Sequence, residues 1–558
     1  MDECNLARAV ARGAAARADH ARALAQALLK VARDRDGECV LGNEERIRRL
    51  AVEMGISAEG AVAEVAEGVA RAVMSEFERK DGELVSACRA PENRQKVWRN
   101  AGVFPRGVDL DIRDVLDSTG KKAGDARDFL WDVVRCALAD GWGGSMLAGD
   151  ISGVLFSPLW PARVRMDLGV LKESNVNIVI HGHEPGFVET VVRIAAEPDM
   201  LGRAKIAGAQ GIAVIATDGI SNEALIRDGL PVTGNLLQQE LLVATGAVDL
   251  LAVDERCALP DLQVATRCCH TRLVAVSSGS GASGPCWAPS WETFDSGSSR
   301  ELIAGAIGNF GARDQSRVEI PNGETGLIGG FTAESLSHHF GGRFRGGFRL
   351  LNDAVAAGRI RGIAALMSSN LMERTLAEGI LSAVTGLLSK DVLVVQTGPA
   401  LITCAAAGLL RPEAASEFAG DGLREVCEMV GIPPVLHMGS CAGHSEVLLS
   451  FAGMVMEGGV GKDLSQLPVA AVMPEVMSDD AAPIAVSAAA SGVPVIAVSL
   501  PGEESRKTMD FLSREMPDAL GGTVAFVGDP GEAVSLVLEH LDERRSALNL
   551  KPSREAAG

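Results

Sequence analysis

Two patterns of hydrophobic and polar residues divide the chain, and they change near residue 160. Before that point apolar residues recur every three or four positions among Ala, Arg and Glu, as Leu24, Leu28 and Val31 do. This spacing places apolar side chains along one face of a helix. Strand-like runs are nearly absent there, so the pattern predicts a helical domain over residues 1–157.

Beyond residue 160, short apolar runs alternate with segments of helical spacing. Continuous apolar runs between helices are typical of parallel strands buried on both faces. The pattern predicts an α/β protein in which the N-terminal helical domain is followed by two Rossmann-like, doubly wound parallel-sheet domains, at 158–344 and 345–558. The Gly-rich stretch from GLIGGF to FRGGFR is predicted to form loops. The predicted strands are 176–180, 212–216, 249–253, 272–276, 360–366, 391–396, 433–437, 468–472, 493–500 and 523–527.

The most apolar long stretch, AAPIAVSAAASGVPVIAVSL at 481–500, is long enough to resemble a membrane span. Its Ser, Gly and Pro fall where a helix would end and a strand would begin, so it predicts a helix, a turn and a strand. The N-terminus lacks the apolar core of a signal peptide. We therefore expect a cytoplasmic protein that does not enter the membrane.

Composition excludes several partners and cofactors. The net charge of −20 argues against binding to nucleic acid. The 11 cysteines include no CxxC pair, so buried thiols, metal ligands or a nucleophile are more plausible than disulfides. The motif GSGASG at 279–284 has the spacing of a dinucleotide loop, but it continues into PCWAPSW rather than a helix. We therefore expect no NAD.

Polar side chains follow several predicted strands. Open α/β sheets bind ligands beyond the carboxyl ends of their strands. Potential metal ligands at or near such positions include His181, His183, Asp218, Glu223, Asp254, Cys257, Cys441 and His444. Cys441 could instead be a thiol nucleophile, with His444 or His437 as its base. From the residues alone, both functions stay open.

Several segments together resemble a known family. VNIVIHGHEP, LLNDAVAAGRIRGIAAL, GDGLREVCEMVGIPPVLHMGSC and DLSQLPVAAVMPE are similar to the catalytic subunit of anaerobic nickel–iron carbon monoxide dehydrogenase, with hybrid-cluster proteins as more distant relatives. The resemblance runs from about residue 5 to about residue 550. It implies the same three-domain fold, a homodimer in anaerobic metabolism, and an oxidoreductase of the carbon monoxide dehydrogenase/hydroxylamine reductase-like superfamily.

The resemblance also implies a nickel–iron–sulfur cluster held by one histidine and five cysteines in a pocket between the two α/β domains. The histidine matches His183, and two of the cysteines match Cys257 and Cys441. The other three cysteine positions are occupied here by Gly219, Ser369 and Pro399. The incomplete set argues against the full cluster.

Two further residues complete a smaller set of ligands. Glu223 matches the position from which hybrid-cluster proteins supply a glutamate ligand, and His444 is an additional donor. With His183, Cys257 and Cys441, either one would suit a single Fe, Ni or Zn ion, or a reduced iron–sulfur site. Cys404, five residues beyond Pro399, is predicted to lie on the following helix and to point elsewhere.

Other features of the family are altered as well. Cys4 is the one cysteine before Cys39, where the family carries relay-cluster cysteines. The proton-moving histidine stripe is reduced to His20, with Arg17 and Ala23 beside it, and Pro517 replaces a lysine. These changes predict a remodelled metal site that acts on or senses a small molecule and does not oxidise carbon monoxide at an ordinary rate.

Three alternatives stay open at this point. The chain is an enzyme with a remodelled site, which needs a protein electron partner. It is a non-catalytic paralogue that serves as a partner or assembly factor. Or it is a carbon monoxide dehydrogenase with an unusual cluster, which converts CO to CO2.

Overall fold

The computed structural model describes most of the chain. The described residues are 2–33, 43–119, 126–156, 159–182, 185–217, 219–254, 259, 261–276, 296–341, 346–368, 374–440, 443–474, 478–498 and 506–553. The fold divides into two compact units. The first consists of Met1–Leu159, Phe331–Leu401 and Arg411–Gly558, and the second of Trp160–Gly330 and Ile402–Leu410.

The N-terminal segment of the first unit is helical, as predicted. Its long first helix buries a face rich in alanine that includes Leu24 and Leu28, and the described residues 2–156 contain no strand. A π-helical turn, Asp140–Gly144, joins two helices end to end. The helices are α1 (Glu3–Arg33), α2 (Glu44–Glu53), α3 (Val62–Phe77), α4 (Glu92–Asn100), α5 (Val108–Thr119), α6 (Ala126–Ala139) and α7 (Ser145–Leu155).

The second unit contains a parallel sheet in the order β3-β2-β4-β5. Its central strands, β2 and β4, are almost completely buried and mostly apolar, as expected where helices cover both faces of a sheet. The elements are β1 (Ala162–Met166), β2 (Asn175–His181), α8 (Pro185–Ala195), α9 (Pro198–Ile206), β3 (Gly211–Ala216), α10 (Gly219–Arg227), α11 (Gln239–Ala244), β4 (Leu250–Asp254), α12 (Leu262–Arg267), β5 (Arg272–Val276), α13 (Ser296–Phe310) and β6 (Thr325–Gly329).

The strands β1 and β6 correct the sequence analysis. They pair antiparallel, from Ala162 opposite Gly329 to Met166 opposite Thr325. The prediction that the stretch from GLIGGF to FRGGFR forms loops was therefore wrong at Gly326–Gly329, and it was also wrong at the helix Ala333–Gly341. The strand β6 contains two glycines, and its partner carries Arg163 and Arg165 on the solvent side, so neither shows the apolar run of a buried strand.

The rest of the first unit forms a second parallel sheet, in which strands follow the order β9-β8-β7-β10-β11-β12. The elements are α14 (Ala333–Gly341), α15 (Arg349–Ala356), β7 (Gly362–Met367), α16 (Arg374–Leu388), β8 (Val392–Thr397), α17 (Ala400–Ala406), α18 (Ala414–Phe418), α19 (Asp421–Val430), β9 (Val435–His437), α20 (His444–Glu457), β10 (Val469–Met473), α21 (Ala481–Ala490), β11 (Val495–Ala497), α22 (Arg506–Asp510), α23 (Met516–Leu520), β12 (Val524–Phe526) and α24 (Pro530–Ala547).

The helical region and the two parallel sheets confirm the predicted fold class. The domain boundaries 1–157, 158–344 and 345–558 stay a prediction. The two compact units divide the chain differently, since they group the helical segment with the C-terminal α/β region. The apolar stretch at 481–500 forms α21 and β11 where it is described, which confirms the predicted helix, turn and strand. Among the helices that the structure describes, none is both long and apolar enough to cross a membrane.

Candidate metal centre

Three of the five predicted ligands, His183, Cys257 and Cys441, lie outside the described residues, as does Ser369. The strands that precede the three ligands in the sequence are described. His181 is the last residue of β2, Asp254 is the last of β4, and His437 is the last of β9. The positions of the three ligands beyond these strand ends stay a prediction.

The other two predicted ligands are described. Glu223 lies in the middle of α10 and is partly buried. His444 is the first residue of α20 and is buried. Within the described ranges, no group of three His, Cys, Asp or Glu side chains converges to hold a metal ion. The convergence of the five residues therefore stays a prediction.

The turn after β8 contains Pro399, at a family cysteine position. Pro399 is buried between the end of β8 and the start of α17. The preceding Gly398 has a φ of +77°, and a Cβ atom there would fall on the carbonyl oxygen of Ser368. The hydroxyl of Ser368 is already engaged, because it donates to the carbonyl of Thr397 at 3.1 Å and accepts from the amide of Ala400 at 2.9 Å. This tight turn offers no side-chain donor at residue 399.

The nearest thiol after that turn is Cys404. It lies on α17 and is completely buried. Burial raises the pKa of its thiol to about 12, so the thiol stays protonated at neutral pH. Cys404 lies on the helix that follows Pro399, as the sequence analysis expected, and its direction relative to the metal site stays a prediction.

A buried glutamine links two of the segments that carry predicted ligands. Gln239, the first residue of α11, is completely buried. Its amide nitrogen lies 2.5 Å from Nδ1 of His181, and its amide oxygen accepts the backbone N–H of Leu259 at 3.2 Å. The sequence analysis did not single out Gln239, because in GNLLQQELL it has the appearance of an ordinary polar residue at a helix start.

A second buried glutamine makes a similar connection in the first unit. The Gln396 amide nitrogen donates to the carbonyl of Gly398 at 2.7 Å, which leaves its amide oxygen 3.0 Å from Nδ1 of His437. The oxygen accepts, so Nδ1 carries the proton. Burial lowers the pKa of His437 to about 4, against an opposing contribution from the hydrogen bond with Gln396. His437 is therefore neutral at pH 7.

The remaining altered family positions lie in ordinary structural settings. Arg17 on α1 forms a buried ion pair with Asp140. Pro517 lies in α23, which continues without a break from the π-helical turn Phe511–Glu515, and its carbonyl accepts the amide of Gly521. Neither residue is placed in the structure as a proton donor or acceptor of a reaction.

Comparison with known proteins decides the family. A model of the Prismane/CO dehydrogenase family matches residues 1–531. The chain belongs to this family. Carbon monoxide dehydrogenase 1 of Methanosarcina acetivorans is 38% identical over 550 residues, and its counterpart in Methanosarcina mazei is 39% identical over 549 residues. Each alignment covers 98% of this chain and 86% of the relative.

A solved structure agrees with these relatives. The as-isolated, nickel-free crystal structure of carbon monoxide dehydrogenase from Thermococcus sp. AM4 superposes with a TM-score of 0.92 at 34% identity. It covers 98% of this chain, which spans 86% of that protein. The resemblance found in the sequence is thus confirmed. The chain is a carbon monoxide dehydrogenase-like member of a family of metal- and iron–sulfur-binding oxidoreductases.

Proposed function

We propose that this chain is a diverged carbon monoxide dehydrogenase-like protein whose remodelled metal site acts on or senses a small molecule. The observation that carries the proposal is the lack of any donor side chain at Gly219 and Pro399, two of the six positions where the resemblance implies ligands. Gly219 starts α10, and Pro399 is buried in a tight turn. The thiol of Cys404, five residues beyond Pro399, is buried on α17.

These residues do not fit the six-ligand nickel–iron–sulfur cluster. Such a cluster needs a thiolate or imidazole on each metal that the protein anchors, and Ser369 would offer at most one oxygen. Loss of the groups that merely support ligands already costs about 10–100-fold in metal affinity or activity. Loss of the ligands themselves costs more, so we derive no reaction step from that cluster.

A smaller metal site suits the residues that remain. We propose that His183, Cys257 and Cys441 hold one Fe, Ni or Zn ion, or a reduced iron–sulfur site, with Glu223 or His444 as a fourth ligand. One imidazole and two thiolates are an ordinary donor set for Zn²⁺, and a site with three protein ligands leaves a coordination position for a small molecule. A fourth protein ligand would close that position and give a structural site.

The proposal extends to the location, the oligomeric state and the partners of the protein. We propose a cytoplasmic homodimer that exchanges electrons with a protein partner, or that assists assembly, and that binds neither nucleic acid nor a membrane surface. The net charge of −20 supports the absence of nucleic acid.

A non-catalytic paralogue is the second candidate. The observation that favours it is the ion pair between Arg17 and Asp140, because Arg17 stands where the resemblance implies a proton-moving histidine. An arginine in such a pair does not release its proton. Ordinary carbon monoxide oxidation with an unusual cluster is the outcome that would contradict both candidates.

The test is metal analysis and an assay on the full chain. Protein made anaerobically with iron, sulfide and nickel is analysed for metals and acid-labile sulfide, and then given carbon monoxide with a viologen acceptor. We expect a metal content near one per chain and little dye reduction. A metal-free chain would favour the non-catalytic paralogue. Fast, nickel-dependent dye reduction that disappears in Cys257→Ala would overturn the proposal.

A further inference from the structure

The second unit holds one buried amide whose two ends contact two different loops. Gln239 is 0% exposed, so both ends of its amide need hydrogen-bond partners within the protein. The oxygen accepts the N–H of Leu259 at 3.2 Å, and the nitrogen lies 2.5 Å from Nδ1 of His181. A single side chain thus joins the end of β2 to the segment that follows β4.

The backbone partner fixes the orientation of this amide. The N–H of Leu259 only donates, so the atom that faces it is the Gln239 oxygen, and the amide nitrogen faces His181. Because the amide nitrogen donates, Nδ1 of His181 accepts. The imidazole is thereby held in one orientation, with Nδ1 unprotonated.

Both ends of this connection are close in sequence to proposed ligands. His181 precedes His183 by two residues, and Leu259 follows Cys257 by two. We infer that Gln239 is a positioning residue that sets the spacing between the histidine-bearing and the cysteine-bearing loop, an inference that rests on the proposed metal site. Side chains that orient metal ligands in this way typically contribute about 10–100-fold to metal affinity.

A purely structural role is the competing explanation, and the same strand offers a matched control. Asn177 lies near the start of β2, at the end opposite His181, and is also completely buried. Its amide nitrogen donates to the carbonyls of Lys172 and Ala247 at 2.9 and 2.8 Å. Its amide oxygen accepts the N–H of Lys172 at 3.1 Å, so Asn177→Leu removes three hydrogen bonds from the same sheet without touching either loop.

The experiment compares the affinity for Co²⁺ alone in four full-length proteins, by titration of the thiolate-to-cobalt absorption. Gln239→Leu keeps the shape of the side chain but loses both hydrogen bonds, so we expect about 10–100-fold weaker binding. Gln239→Glu still accepts from Leu259 and pairs with His181 in its other tautomer, so we expect most of the affinity to return. Asn177→Leu should lower the melting temperature and leave the affinity unchanged.

A second measurement does not depend on the metal. Hydrogen exchange of the metal-free protein reports the amide of Leu259, which should be protected in the wild type and in Gln239→Glu and should exchange faster in Gln239→Leu. Gln239→Asn, which retains the amide but is too short to reach both partners, takes the place of Gln239→Leu if that variant does not fold.

The outcomes separate the two levels of the argument. Wild-type protein that binds no Co²⁺ would overturn the proposed metal site together with this inference. Wild-type binding with equal affinity in Gln239→Leu would overturn the inference alone, as would an equal loss of affinity in Asn177→Leu. Unchanged exchange at Leu259 in Gln239→Leu would show that the connection does not hold the loop.

Discussion

Arg17 and Asp140 form a buried, two-point ion pair inside the helical segment. Nε of Arg17 lies 2.9 Å from Oδ1 of Asp140, and Nη2 lies 2.7 Å from Oδ2. Arg17 comes from α1, and Asp140 begins the π-helical turn between α6 and α7. The pair therefore holds α1 against the π-helical turn that joins α6 and α7.

The first prediction concerns this pair. Arg17→Met should lower the free energy of unfolding by about 3–5 kcal/mol, because Asp140 would stay charged and buried without its partner. The double variant Arg17→Met/Asp140→Leu should lose much less, since an apolar pair of similar volume avoids the cost of burying charge. Urea unfolding followed by circular dichroism measures both. A double variant as unstable as the sum of the two single changes would contradict the expectation.

The second prediction is a loss of stability in mild acid. Burial lowers the pKa of His437 from 6.5 to about 4, so the folded protein resists a proton that the unfolded chain accepts. The stability from this residue is complete above pH 6.5 and is lost as the pH falls from 6.5 through 4, by about 3 kcal/mol at most.

The matched variant for His437 is His437→Asn, whose amide nitrogen can take the place of Nδ1 and donate to Gln396 but does not titrate. Thermal unfolding between pH 7 and pH 4.5 should show a smaller decrease in melting temperature for the variant. Part of the decrease in melting temperature should remain in the variant, because burial also lowers the pKa of His540 to about 4. Identical pH profiles of variant and wild type would mean that His437 takes up its proton without cost.

The third prediction restores the missing ligands. The triple variant Gly219→Cys, Ser369→Cys and Pro399→Cys would supply a thiol at each family position that lacks one. Anaerobic reconstitution should raise iron and acid-labile sulfide per chain above the wild-type values. A control with Cys404→Ser in the same background should retain the gain, because Cys404 is buried on α17 and is not one of the matched family positions. Equal iron and sulfide in the wild type and the triple variant would mean that these positions are not ligand positions.

The fourth prediction concerns the turn before Pro399. Gly398→Ala should be strongly destabilising, because Gly398 has a φ of +77° and its added Cβ would collide with the carbonyl of Ser368. Gly431→Ala is the control, since Gly431 has a φ of +78° and open space around it. The control should cost only the left-handed backbone strain of about 1–2 kcal/mol. Melting temperatures measure both effects. Equal decreases would show that the turn at Gly398 can shift enough to accommodate the added methyl group.

Much of the fold follows from local pattern, and the exceptions have a physical reason. The apolar runs of β2, β4, β7 and β8 identify buried parallel strands because every residue in them is shielded. The pair β1–β6 has no such apolar run, since β1 alternates exposed and buried residues and β6 contains two glycines. Partners such as Arg17 and Asp140, 123 residues apart, are also beyond a local pattern.

The candidate site was predictable only in part. The position of the ligand-bearing segments after strand ends could be read from the sequence, because a parallel sheet fixes that geometry. Gln239 could not be, since its role depends on a contact with His181, 58 residues away, and a second with Leu259. Ligand identity is a property of single residues, whereas ligand positioning depends on tertiary contacts.

The helix α21 has a consequence for how the protein is made. All ten of its residues are buried, and it packs against α1, where Gly13 lies against the backbone of Asp479. About 450 residues separate the end of α1 from the start of α21. The face of α1 is also covered by α3, α5, α6 and α7, which are synthesised early. At a synthesis rate of about 5–20 residues per second, the part of this face that α21 covers waits roughly 20–90 s before α21 is made. During that interval the nascent helical segment exposes an apolar surface, which makes it a natural substrate for chaperones that bind growing chains.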